Sequence, residues 1–170
     1  SGFRDGDIGQ QIIKGNLDVA EALLADYQEK LGDRFYLELQ RTGRENEELV
    51  LNASLMLASK LNVPVVATND VRFINQDDFE AHETRVCIGE SYALADKRRI
   101  KRYSDQQYFR TPEEMIELFS DIPSAIENTL EIAKRCSVEV ELGTYYLPDF
   151  PIPEGLTEAE FFRKISYEGL

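Results

Sequence analysis

Two trios of polar residues stand at a spacing that could build a site. Glu38, Gln40 and Thr42 alternate with Leu39 and Arg41 at the exit of the apolar run 35–39. Thr68, Asp70 and Arg72 alternate in the same way at the end of the run 63–68. In extended chain, side chains two apart point the same way, so each trio offers one polar side. If both runs are strands of a βα-barrel, the trios lie at the strands' C-terminal ends, where such folds keep their sites. Polar groups aimed into a barrel mouth must hydrogen-bond one another or hold a ligand, because unpaired burial is costly. Facing water, the same residues are ordinary loop positions, and parity alone leaves both readings open.

The remaining chemistry-bearing residues are few. Cys87 and Cys136 have no second pair to complete a zinc site, and each sits in a helical apolar pattern, which reads as two reduced, buried thiols. His82, the only histidine, lies in an amphipathic helical stretch with no imidazole nearby. It is expected to hydrogen-bond within helix packing or at a pocket wall rather than to bind metal. The basic run 97–102, Lys-Arg-Arg-Ile-Lys-Arg, reads as a solvated loop, because the net charge of −13 opposes a phosphate backbone.

The elements that would carry these residues follow from periodicity. Val19, Leu23, Leu24, Tyr27 and Leu31 mark a helix over 17–31, stopped by Gly32. Phe35, Leu37 and Leu39 alternate with Tyr36 and Glu38 as a strand does. A helix over 45–61 carries the stripe Leu49, Ala53, Met56 and Leu57, widened by Leu51, Leu55 and Ala58. The run 63–68 resembles a strand buried on both faces of a parallel sheet, and a third helix covers 77–89. Helix, strand, helix, strand, helix is a βα pattern, so the fold class is α/β with a parallel sheet or barrel. A long loop fills 90–110. Thr111, Pro112 and Glu114 then open a helix as a capping box, another helix spans 123–136, and Thr157 and Glu160 repeat the box. Residues 142–155, with three prolines and two glycines, read as a linker. With 42% hydrophobic and 30% charged residues the composition is globular, and no run of 18 apolar residues spans a membrane. The start, Ser1-Gly2-Phe3-Arg4-Asp5, has neither initiator Met nor an apolar signal core, and the final helix runs to the last residue. A cytoplasmic piece of a longer protein is expected.

Residues 35–43, Phe-Tyr-Leu-Glu-Leu-Gln-Arg-Thr-Gly, and 66–74, Val-Ala-Thr-Asn-Asp-Val-Arg-Phe-Ile, resemble two signature stretches of the PHP (polymerase and histidinol phosphatase) domain, in the version that opens bacterial polymerase III alpha subunits. Glu80-Ala81-His82-Glu83, residues 111–115, residues 128–133 and Pro148-Asp149-Phe150-Pro151 resemble later stretches of that family in the same order. The resemblance implies a distorted PHP-type βα-barrel. Residues 1–140 would be its C-terminal portion, and residues 141–170 a linker and mostly helical segment leading to the polymerase palm. The family's early histidine motifs and the palm aspartates would lie outside this chain.

Metal-binding family members carry His where Thr42 and Arg72 stand here, and some carry Cys where Phe3 stands. A site short of two imidazoles binds metal poorly, and Arg72 brings a permanent charge that repels a cation. The resemblance therefore implies a vestigial pocket of Glu38, Thr42, Asp70 and Arg72 with no metal and no catalytic residue in this chain. The parent would be a DNA-directed DNA polymerase using Mg²⁺, with the proofreading exonuclease and other polymerase III subunits as partners and DNA held through other domains. The alternative is a PHP-type metallophosphoesterase. In the expected pocket, Arg72 folds back on Asp70 and fills the space a metal would take.

Overall fold

The computed structural model describes residues 1–148 and 150–169; Asp149, within the 148–151 stretch, and Leu170 lie outside the described residues. The chain divides into two compact units, Ser1–Ser137 and Val138–Leu170.

In the first unit, two helices precede the sheet: α1 (Asp7–Ile13) and α2 (Leu17–Leu31). Strand β1 (Leu37–Leu39), helix α3 (Glu47–Leu61) and strand β2 (Val65–Ala67) then form one βαβ crossover, in which Leu37 pairs with Val65 and Leu39 with Ala67 in parallel. Helices α4 (Phe79–Glu90), α5 (Pro112–Leu118) and α6 (Pro123–Arg135) follow. The result is a mostly helical chain around a two-stranded parallel sheet, compatible with the α/β reading. Two strands among the described residues do not close a barrel.

The core is built from alternating strand residues and one face of each helix. Leu37 and Leu39 pack with Val65 and Ala67, with Ile8 and Ile12 of α1, Leu24 of α2, and Val50, Leu51 and Leu57 of α3. Each such side chain contributes about 1.5–3 kcal/mol on leaving water. All three residues of β2 are buried, as a strand covered on both faces requires. The edge of β2 is closed by α6, whose Asn128 Nδ2 donates to Val65 O at 2.8 Å. Close approach decides the composition of α1: a Cβ on Gly9 would stand 2.0 Å from Phe3 O.

Several expectations shift. Helix α1 lies outside the elements that periodicity predicts. The buried face of α3 is Val50, Leu51, Ser54, Leu57 and Ala58, whereas Leu49 and Met56 are exposed, so the helix is rotated from the expected stripe. The rotation buries Glu47 in the first turn, where the site engages it. In α2, Ala20 and Leu24 are buried and Val19 and Leu31 are exposed. Cys87 is buried but Cys136 is exposed, since the latter lies beyond the last turn of α6.

The second unit holds α7 (Glu158–Glu168), opened by the Thr157 and Glu160 capping box. Phe150 and Phe161 meet with ring centroids 5.9 Å apart. Among the described residues no helix or strand lies between α6 and α7, as the prolines and glycines there suggest. No helix of the described residues is long and apolar enough to cross a membrane.

Candidate functional site

The parallel register sets the site. Thr68 N donates to Leu39 O just past the paired strands, so Gln40 and Thr68 stand side by side and Gln40 Nε2 donates to Thr68 Oγ1 at 3.1 Å. Glu38 accepts from both, at 3.3 and 3.2 Å, and from Gly2 N at 3.2 Å.

After Gly43 the chain turns and returns Arg44 to the same place. Its side chain is 6% exposed. Arg44 Nη2 donates to Gln40 Oε1 at 2.7 Å and Nε to Thr42 Oγ1 at 3.0 Å. Three carboxylates face it: Glu47 at 3.1 Å, Asp70 at 3.2 Å and Asp5 at 3.3 Å. Thr42, fully buried, gives its hydroxyl to Glu47 Oε1 and its backbone N–H to Glu47 Oε2. A carboxylate in the first turn of α3 also suits the positive end of the helix dipole.

Asp70 adopts a φ of 44° rather than the extended backbone expected for it. A left-handed non-glycine residue is uncommon and costs energy that its surroundings must supply. Gln107, fully buried, supplies part of it by donating Nε2 to Asp70 Oδ2 at 2.8 Å and to Asp70 O at 3.2 Å. The expected pair of Arg72 and Asp70 is present at 2.7 Å despite the different backbone, but the Arg72 side chain is 42% exposed and lies over the Tyr103 ring. The long loop is tied to the site as well: Ser104 Oγ donates to Thr42 O, and Asn69 Nδ2 donates to Gln106 O and Tyr108 O.

All four residues of the expected pocket thus join one hydrogen-bonded chain, Glu38 through Gln40 and Arg44 to Thr42 and Asp70, and on to Arg72. The buried cation within it is Arg44, which parity missed because the turn at Gly43 resets the alternation. Glu47 and Gln107 were missed too. An acid in the first turn of a helix was the one available hint for Glu47.

The arrangement suits charge compensation better than metal binding. The guanidinium of Arg44 already occupies the faces of Asp5, Glu47 and Asp70 that a cation would need. Among the described residues, no group of three or more His, Cys, Asp or Glu side chains could hold a metal ion. His82 lies apart, buried between Phe73 and Tyr103 with ring centroids 5.4 and 4.7 Å away. In the basic run, Arg98 pairs with Asp96, Arg99 with buried Glu83 and Arg102 with Glu90, so three of its cations are engaged internally.

Compared with known proteins, the chain is 59% identical over all 170 residues to DNA polymerase III subunit alpha of Pseudomonas fluorescens. It is 51% identical over the same 170 residues to that subunit of Escherichia coli. The chain is a segment matching DNA polymerase III subunit alpha. It spans 14% of the length of the Pseudomonas alpha subunit and 15% of the Escherichia coli one. No family model matches it.

Proposed function

We propose that this chain is the C-terminal part of a PHP-type βα-barrel in the alpha subunit of a replicative DNA polymerase, and that its work there is structural and partner-docking rather than catalytic. The end-to-end match to DNA polymerase III alpha subunits is the observation that carries this reading. Residues 1–140 belong to the barrel and residues 141–170 run toward the palm. The parent synthesises DNA on a template with Mg²⁺ held by carboxylates elsewhere in its chain, in the cytoplasm. It contacts DNA through other domains and holds further polymerase III subunits, notably the proofreading exonuclease, on this domain.

The pocket of Glu38, Thr42, Asp70 and Arg72 is the remnant of a metal site, closed by arginine. A metallophosphoesterase needs ligands free to coordinate, but Thr42 is committed to Glu47 and Arg44, and Asp70 to Arg44, Arg72 and Gln107. Primer extension tests the division of labour. The purified 170-residue chain should add no nucleotide to a primed template with Mg²⁺ present, because phosphoryl transfer by such enzymes needs a two-metal carboxylate site. Template-dependent extension that persists after contaminating polymerase is removed would overturn the assignment of chemistry to other parts of the parent.

A further inference from the structure

Helices α5 and α6 and the segment before them enclose a groove of about 660 Å³, lined by Phe109, Pro112, Met115, Ile116, Ile126 and Leu130 among others. Phe109 is 70% exposed, Leu130 63% and Ile116 55%. Large apolar residues gathered in one concave place differ from scattered surface leucines, because together they offer anchoring positions for apolar side chains. Met115 adds an adaptable wall.

The charges around the groove choose among occupants. Glu113 lies three residues before Ile116 and Glu127 three before Leu130, so each stands on the helix face beside an exposed apolar residue. Glu117 and Glu131 follow the same two residues directly. Lys134 offsets Glu131, and Arg110 in the lining keeps its charge while bonded to Tyr108 and Gln106, so Glu113, Glu117 and Glu127 outnumber the cation. The rim is therefore acidic. A second copy of a chain with net charge −13 would bring like charges together, which costs association free energy.

We propose that this groove docks an amphipathic helix of another polypeptide, with Leu, Ile, Phe or Met anchors three and four residues apart and Lys or Arg on its flanks. Helix-in-groove recognition supplies the anchors and the acidic rim supplies orientation and encounter rate. The proposal rests on the docking role above and adds a place and a chemistry to it.

Photo-crosslinking tests it in the full-length subunit, purified with its native partner subunits and carrying a benzophenone side chain in place of Ile116. The expected adducts, mapped by mass spectrometry, fall on a net-positive amphipathic segment of a different polypeptide. Combining Glu113→Lys with Glu127→Lys should cut adduct yield about tenfold at low salt and leave the chain folded, since both residues are exposed and a lysine at the positive end of α5 costs about 1 kcal/mol or less. Adducts within the subunit's own chain, adducts to a second copy, adducts indifferent to the charge reversals, or no adducts would each overturn the proposal. Retention of the exonuclease is scored on the same sample. An exonuclease retained while the groove yields no expected adduct sinks the groove and spares the docking role, whereas one that is not retained sinks the docking role itself.

Discussion

Arg44 and Arg72 both reach Asp70, but from different surroundings. The Arg44 side chain is 6% exposed and faces three carboxylates, whereas Arg72 is 42% exposed and faces one. An ion pair in contact with water is worth about 0–1 kcal/mol, because solvent screens it and both side chains lose freedom. Removing the cation from a buried set leaves carboxylates uncompensated, at a cost of about 3–5 kcal/mol. In urea unfolding of the intact domain, Arg44→Ala should lose that larger amount and Arg72→Ala no more than about 1 kcal/mol. Asp70→Asn combined with Arg72→Ala should cost less than the two singly, since they share one interaction. Equal losses for the two arginines would contradict the distinction. His82 gives the pH dependence. Burial first, then the charges of Arg85 and Arg72, push its pKa below the ordinary 6.5, with Glu83 Oε1 3.9 Å from Nδ1 as the nearest carboxylate oxygen. The unfolded chain therefore binds the proton first, so stability is complete above about pH 6.5 and falls as pH drops toward the folded-state pKa. His82→Phe, which keeps a ring between Phe73 and Tyr103, should flatten unfolding free energy below about pH 6.5. An unchanged slope would show that another group titrates there.

Helix α6 acts on the sheet from outside it. Its Asn128 satisfies the Val65 carbonyl, which would otherwise face a third strand or water. Asn128→Leu keeps the branching at Cγ and leaves that carbonyl unpaired, so it should cost about 1–3 kcal/mol in a denaturant melt. A loss within a few tenths would mean the edge is satisfied otherwise. At this scale much was legible in the sequence. The alternation of Phe35, Leu37 and Leu39 marked β1, the unbroken apolar run marked β2 as buried on both faces, and Thr111 and Thr157 marked two helix starts through their capping boxes. The phase of α3 was not legible, because apolar residues surround that helix and only the tie of Glu47 to Thr42 and Arg44 selects the buried face. Parity reached six polar positions, Glu38, Gln40, Thr42, Thr68, Asp70 and Arg72, which the structure ties to one another or to Arg44. Arg44 lies past a turn, and Gln107 arrives from a loop 37 residues after Asp70. No local spacing encodes either return.

Across the whole molecule the acidic excess and the pairing of basic residues point the same way. The chain has 19 Lys and Arg against 32 Asp and Glu, and its buried or partly buried arginines at 41, 44 and 99 are spent on internal carboxylates. Such a surface has little to offer a phosphate backbone, in keeping with the supporting role proposed for this segment. That separation between support and chemistry is the central claim, and one variant tests both halves. Arg44→Ala in the full-length alpha subunit should lower the melting transition of the domain that contains it by about 6–20 °C, from a loss of about 3–5 kcal/mol at about 2–4 °C per kcal/mol for a domain of 150–250 residues. At a temperature where the variant is folded, its primer-extension rate per folded molecule should equal that of the unsubstituted subunit. An unchanged melting transition, or a well-folded variant with a reduced rate of nucleotide addition, would contradict it.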